Sequence, residues 1–415
     1  MAASMLVSLV GTQMQNAAID WHVWILTRSP LALGFVGLVR VVPIVAFSLA
    51  GGLVADRRDR RRVLLVTQTT MTLVALALGA VTLLGNDSVG LVYLLTAFTS
   101  AAGAFDNPSR QSLIPRLVPE SELPGALSIM LSTFQLAAIG GPALTGLVLA
   151  GAAGTGPALP SHAHAGGLAL IYFLNAASFL GVLLTLVTLK ASGEVVRAEG
   201  APERPFASLK EGLHFVFTTP ILVWTMTLDF FATFFAGSMS LLPIFADQVL
   251  KAGPAGYGWL RAAPGIGALI GSVWSSVRGL PRLQGRVFLW AVAAYGATTI
   301  VFGLSRSFFL TFAALALVGL SDTISTVVRQ TVRQLVTPDA LRGRMTGVNM
   351  IFFTGGPQLG ELEAGFVASL FASAALGASV AVVAGGVGTL LVVAFVAARA
   401  KVVRDYDWTA APSTP

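Results

Sequence analysis

The sequence predicts an all-α integral membrane protein, with twelve transmembrane helices in two pseudo-symmetric six-helix bundles. Three observations carry that prediction. First, the 415 residues are 55% hydrophobic and only 11% charged, with a mean hydropathy of +0.79, whereas a water-soluble domain carries about 25% charged residues. Second, the apolar residues gather in runs of about twenty, the length that crosses a hydrocarbon core. Third, short motifs recur between the two halves of the chain at nearly constant spacing. The absence of cysteine excludes disulfides and thiolate metal sites.

In chain order, spans are expected at 4–27, 31–55, 63–84, 89–109, 124–151, 167–189, 220–250, 256–277, 286–304, 307–328, 344–371 and 374–399. Pro30, Pro124 and Pro254 punctuate several boundaries. The first run starts almost at Met1, without a basic leader or a small-residue cleavage site, and is expected to be a retained helix with little cytoplasmic sequence before it. The expected division is 1–189, an N-terminal bundle; 190–219, a cytoplasmic linker; 220–400, a C-terminal bundle; and 401–415, a cytoplasmic tail. Within the linker region "ASLKEGLHFVFTTP" reads as a short amphipathic helix on the inner membrane surface.

Charge placement sets the expected orientation. With the N-terminus inside, only Arg28, Lys251 and Arg306 fall in outer loops, and Arg40 and Arg261 lie within spans. The other basic residues collect at inner ends, so both termini are expected in the cytoplasm of a bacterial-type inner membrane. The net charge of +7 is then topology. Its arginines form short patches beneath a bilayer and no continuous face for nucleic acid.

The repeat is specific. "SRQSLIPRLVPESEL" (109–123) matches "VRQTVRQLVTPDAL" (328–341), pairing Arg110-Gln111 with Arg329-Gln330 and Pro119 with Pro338, each 219 residues apart. "GGPALTG" (140–146) matches "GGPQLGE" (355–361), and "RVVP" (40–43) matches "RAAP" (261–264). Two parallel repeats of six spans around a central cavity is transporter architecture.

With these motifs in place, the chain resembles the major facilitator superfamily over essentially its whole length. The family's loop signature, Gly-x-Leu-Ala-Asp-Arg-x-Gly-Arg-Arg-x-x-Leu, corresponds to Gly52 through Leu64, with Val54 for Leu and Asp59 for Gly. The equivalent loop of the second half keeps basic residues but has no matching Asp. The resemblance implies a cytoplasmic gating latch of Gly52, Asp56, Arg57, Arg60, Arg61 and Asp106. Asp56 would meet the positive dipole end of span 11, near Arg344 to Gly347, for about 0.3–1 kcal/mol, and Arg60 would reach Asp106. The same charges also anchor topology against phospholipid headgroups.

"GTQMQNAAIDWHVWILTRSPLALG", "FDNPSRQSLIPRLVP" and "VVRQTVRQLVTPDALRGRM" resemble the enterobactin-exporter and macrolide-efflux branch. Gly141, Pro142 and Gly146 resemble the antiporter motif Gly-Pro-x-x-Gly-Gly, with Thr145 replacing one Gly, and Gly356 and Pro357 repeat it in the second half. The resemblance implies a seal facing the periplasm, made by close helix approach.

Charges inside spans are costly and mark mechanism. Asp20 and Arg40 lie at similar depth and can pair. Glu361 and Glu363 sit in the outer half of span 11, about 200° apart on the helix, so both cannot face one cavity; Glu361, within the repeated motif, is the preferred one. These four are the proton-coupling candidates, and Asp229, Arg261 and Asp322 form a second tier, with Asp229 and Asp322 close enough to the inner face to be simply wet. A static ion pair fixing helix register is the structural alternative. His22 is expected to pack or hydrogen-bond, and His162 and His164 are too few for a metal site. No cofactor, nucleophilic triad or nucleotide-binding loop is present, so the energy source expected is the proton gradient. The expectation is a monomeric secondary transporter exporting a small amphipathic molecule, siderophore or drug-like, by alternating access. Import or facilitated movement of a nutrient or lysolipid is the alternative; an integral-membrane enzyme and a passive channel fit less well.

Overall fold

The computed structural model describes residues 2–113, 119–152, 162–188, 205–278, 283–338 and 341–407; the side chains of Asp56, Arg57, His162, His164 and Arg342 to Arg344 lie outside that description. The described residues form helices and turns, with no strand among them. The helices are α1 (Ala2–Thr27), α2 (Pro30–Arg57), α3 (Arg60–Leu83), α4 (Val89–Leu113), α5 (Leu123–Ala152), α6 (His162–Thr188), α7 (Pro205–Thr218), α8 (Pro220–Phe235), α9 (Leu242–Ile244), α10 (Gly253–Arg278), α11 (Gln284–Leu304), α12 (Phe308–Val336), α13 (Arg342–Ser369), α14 (Ala374–Arg399) and α15 (Lys401–Arg404). α8 continues through a 3-10 turn, α9 and a π turn to Val249.

Nine segments among the described residues are long and apolar enough to cross a membrane. The three other long helices, α1, α10 and α13, are equally long but more polar. They carry Asp20, Arg261, Glu361 and Glu363. The twelve expected spans thus divide into nine that meet both length and apolarity and three that meet length alone.

Local sequence sets the helix starts. Ser29 caps α2, accepting a bond from Ala32 N, with Pro30 at the first helical position. Asp59, the departure from the family signature, caps α3 by accepting from Arg61 N at 2.9 Å and Arg62 N at 3.4 Å. α12 runs past the expected end at 328 because Val328 and Val332 continue its buried face. Arg329 and Arg333 therefore belong to a helix and not to a loop.

The chain divides into two compact units, Met1–Ala201 with Lys251–Ala262, and Pro202–Leu250 with Ala263–Pro415. In the first, α1 packs on α5 and α6, α2 on α4, and α3 on α4 and α6. In the second, α8 packs on α13 and α14, and α11 on α12 and α14. α10 meets α12 at glycines: a Cβ on Gly267 would lie 1.7 Å from Ala316 O. Pairing of spans 1 with 5 and 3 with 6 thus recurs as 7 with 11 and 9 with 12. The turns repeat too: Arg28 and Lys251, which follow the first span of each half, both hold a left-handed φ, 51° and 53°.

Candidate functional site

Among the described residues Asp20 on α1 is a fully buried carboxylate, 0% exposed. Arg40 on α2 donates to its Oδ1 at 2.9 Å and to Asn16 O at 3.1 Å. Arg261 on α10 lies 2.7 Å from Oδ2. One carboxylate thus faces two guanidiniums, all three within the first unit. Tyr257, one turn before Arg261, donates to Ala17 O at 2.9 Å and holds its ring 5.2 Å from Trp21. Two residues beyond Asp20, the buried His22 bonds Asp87 Oδ2 at 2.7 Å and Tyr172 Oη at 3.0 Å.

Helix register in this unit depends on glycine. A Cβ on Gly141 would lie 2.5 Å from Gln13 Cβ, and one on Gly146 2.8 Å from Gly258 Cα and Pro254 O. On the facing helix, a Cβ on Gly258 would lie 2.5 Å from Pro142 O. The antiporter-like motif of α5 is therefore a contact plate for α1 and for the start of α10. In the second unit the repeated motif does the same on α8: a Cβ on Gly356 would lie 2.5 Å from Thr233 Oγ1, and one on Gly360 2.2 Å from Phe234 O, while Pro357 O faces Gly237.

At the other end of the first unit, Asp106 accepts from Thr67 at 2.9 Å, Gln68 at 2.7 Å, and Arg110 at 2.9 and 3.0 Å. This corrects the expected Arg60 partner: Arg110, one turn away on the same helix, reaches Asp106 directly, while Arg60 donates to Ser112 O at 3.3 Å. Arg61 donates to Leu186 O at 2.7 Å and Val187 O at 2.8 Å. Arg60 and Arg61 thus neutralise the carbonyl ends of α4 and α6, where the helix dipoles are negative. Gly52 has nothing within 4 Å, whereas a Cβ on its neighbour Gly51 would lie 2.2 Å from Ala104 O. The close-packed glycine of the signature region is therefore Gly51. The expected contact of Asp56 with the start of span 11 lies outside the described residues.

In the second unit, Arg329 pairs with Asp229 and lies 3.8 Å from Asp322. Asp229 is buried and Asp322 half-buried. Glu361 is buried and Glu363 is half-buried, consistent with their opposed directions on α13. Among the described residues Glu363 makes no ion pair, and no cluster could hold a metal ion. Of the aromatic residues near these charges, Trp21 and Trp24 are buried, and Phe230 packs against Phe352 at 5.9 Å. Phe231 is 41% exposed.

Sequence reasoning missed Arg110, Tyr172, Asp87 and Arg329. The first was readable from its four-residue spacing to Asp106, and Arg329 from its place opposite Arg110 in the repeat; Tyr172 and Asp87 are partners of His22 across the fold, with no local signal.

Comparison with known proteins agrees with this arrangement. A family model described as a transmembrane secretion effector matches residues 1–413. The enterobactin exporter EntS of Escherichia coli O127:H6 is 26% identical over 342 residues, covering 82% of this chain and 78% of that protein. Among solved structures, a bacterial homologue of the human lysosomal transporter Spinster, inward-facing and unoccupied, gives a TM-score of 0.71 at 16% identity, covering 95% of this chain and 96% of that one. The xylose transporter XylE from E. coli, inward open, gives 0.66 at 13% identity, covering 95% and 94%. At such identities these structures speak to the fold, which is that of multi-pass membrane transporters. On the family match over nearly its full length and a helix repeat to go with it, the chain belongs to the transmembrane secretion effector family of the major facilitator superfamily.

Proposed function

We propose that this transporter exports a small amphipathic molecule, siderophore or drug-like, across a bacterial inner membrane by alternating access, driven by protons moving inward. In this reading it works as a monomer with both termini in the cytoplasm and needs no cofactor. One observation carries it: Asp20, fully buried, faces both Arg40 and Arg261. A buried pair fixing register needs one arginine. A second guanidinium gives Asp20 an alternative partner, so its carboxylate can exchange between Arg40 and Arg261. Glu363, which makes no ion pair among the described residues, takes the place of Glu361, the candidate preferred from sequence, as the carboxylate where a proton meets least competition. The similarity to an enterobactin exporter supports the outward direction.

Proteoliposomes under an imposed pH gradient test this. The wild type is expected to move enterobactin against its concentration gradient, and to stop when the pH gradient is collapsed. Glu363→Gln is expected to retain downhill movement and lose gradient dependence. Wild-type movement that ignores the gradient would overturn the coupling.

Orientation has its own test, made simple by a chain without cysteine. Asn86→Cys, exposed in the α3–α4 turn, is expected to react with an impermeant maleimide in intact cells. Arg58→Cys, exposed between α2 and α3, is expected to react only after permeabilisation. The opposite pattern would invert the topology.

A further inference from the structure

We propose that the second unit holds a binding site for an amphipathic organic anion, anchored by Arg333. α8, α12 and α13 line an open cleft. Two guanidiniums of α12 enter it, one turn apart, and their situations differ. Arg329 is engaged by Asp229 and Asp322 and donates to Thr326 Oγ1 at 2.8 Å. Arg333 donates, among the described residues, only to the neutral Gln330 Oε1 at 2.6 Å. Asp229, the one carboxylate that lines the cleft, is therefore paired with Arg329, and Arg333 is the half-buried guanidinium there that no carboxylate among the described residues engages.

The rest of the lining says what that cation would hold. The amide of Asn349, on α13, makes no hydrogen bond among the described residues and stands free for a ligand oxygen. Phe352, Met226 and Met345 supply an apolar wall, the methionines being able to adapt to irregular shapes. A guanidinium and an amide beside an aromatic ring fit a molecule with a carboxylate at one end and a ring at the other. A cationic ligand would meet Arg333 and find its counter-charges taken. A neutral one would cover a guanidinium without compensating it. Arg333 lies one turn from the inner end of α12, about 5 Å along the axis, so in the proposed orientation the cleft opens where a cytoplasmic substrate would enter.

The inference deepens the export reading, on which its link to substrate rests. Its test reads binding without any gradient. The detergent-solubilised full chain would be titrated with 1-naphthoate and with the uncharged 1-naphthalenemethanol. The naphthoate is expected to bind at least about tenfold more tightly, the scale of one charge-assisted hydrogen bond. Arg333→Gln is expected to abolish that preference, and Arg333→Lys, which keeps charge without the planar fork, to keep part of it. Asn349→Ala is expected to weaken naphthoate more than the alcohol; should Arg333→Gln fail to fold, the Lys and Asn349 variants carry the test. Absent naphthoate binding, equal wild-type affinities, or an unchanged preference in these variants would overturn the site. Loss of the site with gradient-driven transport intact removes this inference alone; binding without gradient-driven transport removes the export reading.

Discussion

Asp20→Asn is expected to be the most damaging single substitution in the first unit. It deletes the carboxylate that contacts both Arg40 and Arg261, whose side chains are only 12% and 16% exposed. Removing one partner from a buried ionic cluster costs about 3–5 kcal/mol. Arg261→Gln removes one of the two guanidiniums and keeps the Asp20–Arg40 pair, for which about 1.5–3 kcal/mol, the range of one charged hydrogen bond, is expected. The double variant restores the native charge count and is expected to be more stable than Asp20→Asn alone, a coupling that a thermal-unfolding cycle in detergent would measure. If Asp20→Asn proved no worse than Arg261→Gln, the charge argument would be wrong.

Gly258→Val is expected to be comparably severe for a different reason. The first added carbon would stand 2.5 Å from Pro142 O and 2.6 Å from Gly146 Cα. Both obstacles are backbone, so α5 and α10 must separate. Overpacking a tight contact costs about 1–3 kcal/mol, and here displacement of α10 also carries Arg261 away from Asp20. Gly140→Ala is the control: it sits beside the motif, yet nothing lies within 4 Å of its added carbon. Folded yield and transport are expected to fall together for Gly258→Val and to stay near wild type for Gly140→Ala. Equal behaviour of the two would remove the contact plate as an explanation of the motif.

Much of this arrangement can be read from the sequence where it depends on composition or short-range period. The long helices follow from apolar runs, and the pairing of Asp20 with Arg40 follows from matched depth in adjacent antiparallel helices. Arg261 is less accessible to such reasoning, because its height against Asp20 is set by the Gly146–Gly258 contact between segments more than a hundred residues apart. His22 shows the same limit: its partners lie 65 and 150 residues away. The family signature also drew attention away from a local fact. Arg60 looked like the partner of Asp106 because the motif emphasises it, while Arg110 sits one turn away on the same helix. In α12, charged residues suggested a loop although Val328 and Val332 kept the helical face buried. There the apolar period outweighed the charges.

The polarity of α1 bears on how the chain enters the bilayer during synthesis. A carboxylate at the centre of a lone helix opposes insertion by about 2.5–3.5 kcal/mol, and α1 is not among the segments apolar enough to cross unaided. Arg40, however, leaves the ribosome only twenty residues after Asp20. The two helices can therefore be handed from the translocon to lipid as a hairpin whose ions already neutralise each other. Arg261 emerges more than two hundred residues later and docks onto a pair that has long been membrane-embedded. The second guanidinium at Asp20 thus arrives late, and a nascent chain halted before α10 would carry the Asp20–Arg40 pair alone.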